Sequence, residues 1–305
     1  MILIITHKED FTADFVINQL NAASIPYFRL NCEDLAEYPY SIGFSGGFQL
    51  SLGNIERFTA VWFRRVKKPI VTLEDAHVAD YIASELLALL NNFYHLIDCK
   101  WVSQPEHIYK AENKLVNLRK AVELGFIIPE TLATNQRQSI VDFYHKHDGD
   151  IIIKPIFNNK ILFDSYKQVV FTNKVRPEHI AQLDRYFLTP SIFQRNIPKA
   201  YEIRVTVVGQ HVFAASVDSQ AYATTQHDWR KEKLAFQPYV LPESMADRCR
   251  SLVSALNLNF GAIDLIKATD GQYYFLEINP NGQWAWMEME CGLPISSALI
   301  RELTT

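Results

Sequence analysis

Two carboxylates and an amide near the C-terminal end of the chain are residue types that could hold a metal ion. Asp264 lies in the apolar segment "GAIDLIK", and Glu277 and Asn279 lie in the next one, "YYFLEIN". Alternation along the second segment predicts a strand in which Glu277 and Asn279 share one face with Tyr273 and Phe275. A carboxylate and an amide together at the end of such an apolar strand indicate a chemical role for that face.

The dipeptide Asp-Gly at 270–271 separates the two segments and is typical of a two-residue type I′ hairpin turn. With this dipeptide as the loop, Thr269 pairs with Gln272. Counting outward along both strands then places Asp264 directly opposite Glu277. The sequence therefore predicts two carboxylates that face each other across adjacent strands.

Like charges in this position destabilise a sheet unless a positive charge lies between them. A divalent cation with oxygen ligands resolves the conflict, and Asn279 adds a neutral oxygen one pleat further along the same face. A set made only of oxygen ligands favours Mg²⁺ or Mn²⁺ over zinc. The alternative is that Asp264 and Glu277 lie on a solvated edge and pair with separate lysines, because a slip of one residue would destroy the pairing.

Two cations occur inside other apolar strand patterns. Lys154 follows three isoleucines in "IIIKPI", where an ammonium either reaches solvent along its own stem or meets an anion. In "YEIRVTVVG", Arg204 shares a strand face with Glu202 and Thr206, and a simple surface pair of Glu202 with Arg204 is the alternative. Together with two metal-binding carboxylates, these cations are the parts needed to hold a nucleoside triphosphate through Mg²⁺ and to neutralise a moving phosphoryl group.

The elements that must position these residues alternate between strand-like and helix-like patterns, which is typical of an α/β protein. A long amphipathic helix at 77–97 closes a first region, and a single helix within 111–131, ended by Gly125 and Pro129, opens the second. We expect an N-terminal α/β domain at 1–100, a central subdomain at 101–190 and a C-terminal subdomain at 191–305. No repeat or low-complexity linker separates them, so we expect the three regions to pack as one unit.

Composition excludes several classes of protein. The chain has 305 residues, 48% of them hydrophobic, with a net charge of −4, and this balance does not favour nucleic acid as a partner. Its four cysteines lie far apart without a C-x-x-C pair, which indicates reduced thiols and a cytoplasmic protein. No signal peptide is predicted, and no segment approaches the roughly 18 apolar residues of a membrane span.

The order of the motifs adds a resemblance. The segments "NK" near 113, "IIIKPI", "FQRNI", "EIRV", "GAIDLI" and "FLEINPNG" together resemble the ATP-grasp carboxylate–amine ligases of the RimK-like branch. Further segments, "ILIIT", "FRLNCEDL", "VWFRR", "ASVDSQ", "DWR" and "NPNGQWAWMEMECGLPI", are similar to the microviridin or graspetide type of ribosomal peptide maturase. The resemblance implies an ATP-grasp fold in which the N-terminal α/β domain precedes a central lid subdomain and a C-terminal subdomain that binds ATP and Mg²⁺.

The resemblance also implies roles for individual residues. Lys114 and Lys154 would contact ATP phosphates, the backbone around Gln194 and Asn196 would read the adenine edge, Glu202 would lie near the ribose or the metal, Arg204 would lie beside the γ-phosphate, and Asp264, Glu277 and Asn279 would hold Mg²⁺ or Mn²⁺. One departure is the segment 157–168, which contains no glycine although such enzymes usually carry a glycine-rich phosphate loop there. No phosphate contact is therefore assigned to it.

The implied reaction converts an Asp or Glu side chain of a precursor peptide into an acyl phosphate, which a hydroxyl or amine of the same peptide attacks to form a macrocyclic ester or amide. The resemblance implies recognition of a leader segment of that peptide, and a homodimer. Arg64, Arg65 and Arg230 could grip a peptide carboxylate, although paired arginines at a strand end are more often salt-bridged surface, and a solvated loop is the better default for Arg230. Two alternatives stay open: a RimK-like ligase that adds a free amino acid to an acceptor, and a nucleotide-binding protein that recognises a peptide without catalysis.

Overall fold

The computed structural model describes residues 1–157, 160–162, 167–185 and 189–305. The strands of these ranges are β1 (Ile2–Thr6), β2 (Tyr27–Asn31), β3 (Tyr40–Gly43), β4 (Gln49–Leu52), β5 (Ala60–Phe63), β6 (Lys100–Val102), β7 (Thr131–Ala133), β8 (Ile151–Pro155), β9 (Lys160–Leu162), β10 (Lys167–Val169), β11 (Asn173–Lys174), β12 (Ser191–Arg195), β13 (Lys199–Val208), β14 (His211–Val217), β15 (Gln237–Pro238), β16 (Phe260–Ala268) and β17 (Tyr273–Asn279). The helices are α1 (Phe11–Ala22), α2 (Ala76–Leu96), α3 (Pro105–Ala111), α4 (Lys114–Glu123), α5 (Arg137–Lys146), α6 (Pro177–Ala181), α7 (Glu243–Ala255), α8 (Ala285–Cys291) and α9 (Ile295–Thr304).

The first sheet is parallel, with strand order β2-β1-β5-β6. All five residues of β1 are buried, as its continuous apolar sequence predicts for a central strand. Asp10 caps the N-terminus of α1, where its carboxylate accepts hydrogen bonds from the amides of Thr12 and Ala13. Leu90 and Phe93 of α2 pack against the same sheet in the largest apolar cluster of the protein.

The second sheet has the order β11-β8-β12-β7 and its strands pair antiparallel. Ile140 and Phe143 of α5 pack against Ile151 of β8 and Phe193 of β12. The prediction of a single helix within 111–131 is wrong at its start. The helix α3 ends at Ala111, and a separate helix, α4, begins at Lys114. Gly125 ends α4 as predicted, with a φ of +77° that suits glycine.

The third sheet has the order β15-β14-β13-β16-β17 and is antiparallel. On β13 the predicted alternation is confirmed: Ile203, Val205 and Val207 enter the large apolar cluster with α7. Residues 202, 204 and 206 lie on the opposite face. This second face is the one that builds the site described below.

The three larger sheets follow one another along the chain, since β6 is the last strand of the first and β12 the last strand of the second. The division into three domains at residues 100 and 190 stays a prediction. α4 packs against β17 of the third sheet. Since α4 comes directly before β7 in the chain, it links the third sheet to the start of the second. Within the described part of the chain, no helix is long and apolar enough to cross a bilayer.

Candidate active site

The register of the C-terminal hairpin places the two carboxylates as predicted. Asp264 lies opposite Glu277, and Ala262 lies opposite Asn279. The predicted turn, however, is wrong. The amide of Gly271 donates to the carbonyl of Ala268 at 3.0 Å, so the loop has three residues, 269–271, and ends on a glycine with a φ of +84°.

A β-bulge compensates for the longer loop. The register shifts between Asp264 and Leu265, which adds one residue to β17 at Leu276. Leu276 and Glu277 therefore both line the cavity, whereas Phe275 is fully buried in the apolar core. The prediction that Tyr273 and Phe275 share a face with Glu277 is wrong. The extra residue at the bulge shifts the alternation by one, so the residues after it lie on the face opposite to the one predicted. The bulge is thus what aims the carboxylate into the site.

A cavity of about 430 Å³ lies between the second and third sheets. It gathers every site residue that the sequence indicated except Arg64: Arg65, Lys114, Lys154, Gln194, Asn196, Glu202, Arg204, Arg230, Asp264, Glu277 and Asn279. Residues that are more than two hundred positions apart in sequence thus meet in one concave space. Such a cavity with convergent charged groups is the usual form of a ligand site.

Each of the two opposed carboxylates has its own cation. Arg204 Nη1 donates to both oxygens of Asp264, at 2.7 and 2.8 Å, and Lys114 Nζ lies 3.5 Å from Glu277. Burial, with the nearby charge of Glu277, raises the pKa of Asp264 despite Arg204. Burial also opposes ionisation of Glu277, but the charges of Lys114 and Lys154 outweigh it and hold its pKa below the ordinary value.

The donor set fits a magnesium ion. The amide nitrogen of Asn279 lies 3.4 Å from Asp264 and 3.3 Å from Glu277, so the three side chains converge on one point. A flip of the Asn279 side-chain amide turns its oxygen towards that point. Among the described residues no group of three or more His, Cys, Asp and Glu side chains could hold a metal. A site with two carboxylates and one amide suits Mg²⁺, which keeps waters and substrate phosphates among its ligands.

Lys154 is a cation for which the described residues provide no ion-pair partner. Its side chain lies partly buried on the cavity wall, and within the described ranges no carboxylate lies within ion-pair distance of its ammonium. Burial lowers the pKa of Lys154 to about 8, with the charge of Lys114 acting in the same direction and that of Glu277 against it. An ammonium held in this way is ready to receive an anion.

Other polar atoms at the cavity are also unsatisfied. Arg204 Nε and Gln194 Oε1 are buried and have no hydrogen-bond partner among the residues that the structure describes. Buried polar atoms are rarely left so, and at a cavity wall they indicate a missing ligand. Glu202, by contrast, pairs with Lys199 at 2.9 Å and not with Arg204. The simple surface pair considered from the sequence is therefore not formed.

The backbone near the expected adenine position offers one donor that the sequence did not single out. The amide of Asn196 already donates to the carbonyl of Asp150 at 3.0 Å, and Gln194 is held in the ladder between β7 and β8. Ile197 lines the cavity, and no backbone acceptor for its amide is found in the described part of the chain. The available amide at this edge is thus that of Ile197.

The three arginines expected to grip a peptide carboxylate have different surroundings. Arg64 is 1% exposed and its guanidinium donates to both oxygens of Asp10, at 3.2 and 3.3 Å. The expectation of a substrate contact therefore does not fit Arg64, since the guanidinium is enclosed. Arg65 is exposed and lines the cavity, and Arg230 lines it beside Asp228, with which it pairs at 2.6 Å. Both can reach a ligand.

Gly282 is a site residue that sequence reasoning missed. A Cβ on this residue would lie 2.8 Å from Arg204 Nη2 and 2.5 Å from the Cβ of Ala262, so only glycine lets the loop after Asn279 pass so close. The glycine in "NPNG" was the available signal. The glycine-free segment 157–168 lies in part outside the described residues, although Phe157 at its start lines the cavity.

Comparisons with known proteins find chains of similar fold. A ligase associated with modified ribosomal peptides from Chryseobacterium gregarium, solved with ADP and a leader and core peptide, is similar over 99% of this chain and 96% of its own, with 29% identity and a TM-score of 0.89. The macrocyclase MdnC from Microcystis aeruginosa MRC, bound to the precursor peptide MdnA, has 29% identity, 99% coverage of both chains and a TM-score of 0.86. The macrocyclase MdnB of the same source has 30% identity, covers 99% of this chain and 98% of its own, and has a TM-score of 0.79. No family model and no curated protein matches the chain.

Proposed function

We propose, from the premise that this chain belongs to the ATP-grasp ligases of the graspetide type, that it closes rings in a ribosomal precursor peptide. In the proposed reaction ATP phosphorylates an Asp or Glu side chain of the peptide. A Ser or Thr hydroxyl, or a Lys amine, of the same peptide then displaces the phosphate and forms an ester or an amide.

One observation carries the proposal: the cavity brings together, from the two sheets that enclose it, two opposed carboxylates, an amide and three cationic or polar groups that have no partner among the described residues. The unengaged groups are the ammonium of Lys154, Arg204 Nε and Gln194 Oε1. The similarity to enzymes solved with ADP, or with a precursor peptide, supports ATP and a peptide as the two substrates.

Binding of ATP would use both ends of the cavity. Lys114 and Lys154 supply positive charge for the phosphates, and the amide of Ile197 is a free donor for the adenine edge beside Gln194 and Asn196. Glu202 can accept hydrogen bonds from the ribose through the carboxylate oxygen that Lys199 does not hold. The nucleotide would thus lie between the second and third sheets.

Phosphoryl transfer would occur where Asp264, Glu277 and Asn279 converge. These residues would hold Mg²⁺ or Mn²⁺, which supplies positive charge to the phosphate oxygens. Arg204, held against Asp264 on the same wall, neutralises the charge that develops on the transferring group and later on the leaving phosphate. Arg65 and Arg230 are open to a carboxylate of the peptide and would hold it near this point.

A RimK-like ligase that adds a free amino acid would share these nucleotide contacts, so the nature of the nucleophile separates the two functions. A binding protein without catalysis is less well supported. Recognition of a peptide alone does not need two converging carboxylates with an arginine beside them. The cytoplasm remains the expected compartment because the four cysteines are free thiols, and a homodimer remains an expectation of the resemblance.

The experiment incubates the protein with ATP, Mg²⁺ and the short Thr-, Lys-, Asp- and Glu-rich peptide expected beside its gene, and reads the peptide mass. We expect the loss of one water for each ring. Glu277→Gln, which keeps the side-chain shape but removes the charge, should abolish that loss. A mass that rises only when free amino acids are added would favour the RimK-like function, and no consumption of ATP would contradict both.

A further inference from the structure

A second cavity of about 320 Å³ opens beside the first at the end where phosphoryl transfer is placed. The two cavities share Arg65, Lys114 and Glu277 in their walls. Glu112, at the junction between α3 and α4, lines the second cavity but not the first. A peptide that reaches the transferred phosphoryl group through this opening would pass Glu112.

Glu112 differs from the other carboxylates that line the two cavities. The other four each have a cation nearby: Glu202 has Lys199 at 2.9 Å, Asp264 has Arg204 at 2.7 Å, Asp228 has Arg230 at 2.6 Å and Glu277 has Lys114 at 3.5 Å. The carboxylate of Glu112 has neither a hydrogen bond nor an ion pair within the ranges that the structure describes. Its lone pairs are therefore free.

The surroundings of Glu112 favour a proton acceptor. Its half-burial raises the pKa of Glu112, and the charge of Arg65 opposes that shift only in part. The other charged or titratable groups around it are Tyr109 on α3, Lys114 at the start of α4 and Glu277 on β17. A half-buried carboxylate without a partner is costly for the fold, which indicates that it serves a bound molecule.

We propose that Glu112 is the general base that takes the proton from the attacking hydroxyl or amine of the peptide; this rests on the proposed function. The nucleophilic oxygen or nitrogen forms a bond to the acyl carbon and its proton passes to the Glu112 carboxylate. The bond between the acyl carbon and the phosphate oxygen breaks, and the electron pair leaves with the phosphate. Arg65, on the wall of the same cavity, holds the reacting carboxyl group within reach of both partners.

The role predicts that Glu112 acts in ring closure and not in activation. Glu112→Gln keeps the size and polarity of the side chain but cannot accept a proton. We expect ADP to form in the first turnover at the wild-type rate, and ring formation, with the steady-state turnover that depends on it, to be slowed by about 10²-fold or more, which is the usual contribution of a general base. Glu112→Asp should recover part of the ring formation, because it restores the base at a shorter reach.

Hydroxylamine separates the two steps. It is a strong nucleophile that needs no base, so it should convert the acyl phosphate to a peptidyl hydroxamate equally well in the wild type and in Glu112→Gln. The rate of ring closure in the wild type should fall as the pH drops through the raised pKa of the base, and this limb should vanish in Glu112→Gln. Peptides that offer only Thr or only Lys as nucleophile show whether esters, amides or both depend on Glu112.

Ring formation at the wild-type rate in Glu112→Gln would overturn the inference. So would an equal loss of hydroxamate and rings, because it would place Glu112 in activation or in folding. If the wild type yields neither rings nor hydroxamate, the proposed function itself fails and the inference falls with it. The result that supports the inference is hydroxamate at the wild-type yield in Glu112→Gln together with a loss of rings in that variant alone.

Discussion

At the scale of single residues, the site combines groups that are already paired with groups that wait for a ligand. Arg204 and Lys114 neutralise the opposed carboxylates, whereas Lys154 has no anion within the described ranges. The charges of Glu277 and Asp264 stabilise its ammonium in the free protein. The phosphates of ATP would supply the missing anion, so binding and protonation of Lys154 should be linked.

The pKa of about 8 for Lys154 gives a testable pH dependence. Because this pKa is below the ordinary value for lysine, the positive charge is present below about pH 8 and is lost as the pH rises through it. We expect the KM for ATP to rise above that pH, measured as ADP release over a pH series. In Lys154→Arg, whose guanidinium stays charged, this rise should be absent. An equal rise in both proteins would contradict the assignment.

At the scale of elements, the hairpin of β16 and β17 shows what the sequence could and could not predict. Alternation, the Asp-Gly turn signal and a count along two strands sufficed to place Asp264 opposite Glu277. The three-residue loop and the bulge at Leu276 each shift the register by one residue, in opposite directions, so their effects on the pairing of Asp264 cancel. Neither could be read from the sequence, because the bulge is fixed by packing: Phe275 and Ile278 both fill the core.

Other elements also divide into those that the sequence predicts and those that it does not. The buried strand β1 and the helix α2, expected at 77–97 and found at Ala76–Leu96, follow from their apolar patterns. The break between α3 and α4 was missed, since "AENKLV" continues a helical pattern without glycine or proline. The enclosure of Arg64 was missed because its partner, Asp10, lies 54 positions away in sequence. Pairings at such distances are not visible in local patterns.

Substitutions at two glycines test whether the hairpin turn and the loop after β17 have separate effects on stability and activity. Gly282→Ala should lower activity by about 10²-fold with a smaller effect on stability, because the added Cβ meets Arg204 and displaces a positioned group by a fraction of an ångström or more. Gly271→Ala should instead cost about 1–2 kcal/mol of stability at its positive φ, with kcat unchanged, since no atom lies near the added Cβ.

Thermal or urea unfolding and ADP release, measured on both variants, check this contrast. The two substitutions are chemically the same, so each serves as the control for the other. Loss of activity in Gly271→Ala at a temperature where it is fully folded would show that the turn, rather than the bulge, sets the position of Glu277.

At the scale of the whole molecule, residues that follow strands of the N-terminal sheet contact the loop 280–283 directly. Arg64, at the end of β5, reaches the carbonyl of Gly282 at 3.5 Å while its guanidinium holds Asp10. Thr12 at the start of α1 hydrogen-bonds to Gln283, and Arg65 donates to the carbonyl of Asn281 at 3.4 Å. The loop that follows Asn279 is thus supported by residues that follow β5 and by a residue of α1 as well as by its own sheet.

Removal of one partner of this buried ion pair should be costly. Arg64→Met leaves Asp10 buried without its cation, and we expect a loss of about 3–5 kcal/mol in the free energy of unfolding. Urea unfolding of Arg64→Met, Asp10→Asn and the double variant gives the coupling, which should exceed about 1 kcal/mol. A coupling near zero would show that the two side chains act independently.

The same pair predicts how stability depends on pH. Burial alone would raise the pKa of Asp10, but the charge and hydrogen bonds of Arg64 outweigh it, so the pKa in the folded protein lies below the ordinary value. The stabilisation is therefore complete above the unfolded-state pKa of about 4 and is lost as the pH falls through the lower folded-state pKa. In Arg64→Met this acid-dependent stabilisation should disappear from the unfolding free energies.

The central claim is that the cavity activates a peptide carboxylate by phosphoryl transfer from ATP, and an isotope label follows that step directly. A peptide labelled with ¹⁸O in its Asp and Glu carboxyl groups is incubated with the protein, ATP and Mg²⁺, and the released phosphate is analysed by mass spectrometry. The account predicts one ¹⁸O in the phosphate for each ring formed, because the carboxylate oxygen that attacks the phosphorus leaves with it. Rings that form while the phosphate stays unlabelled would contradict it.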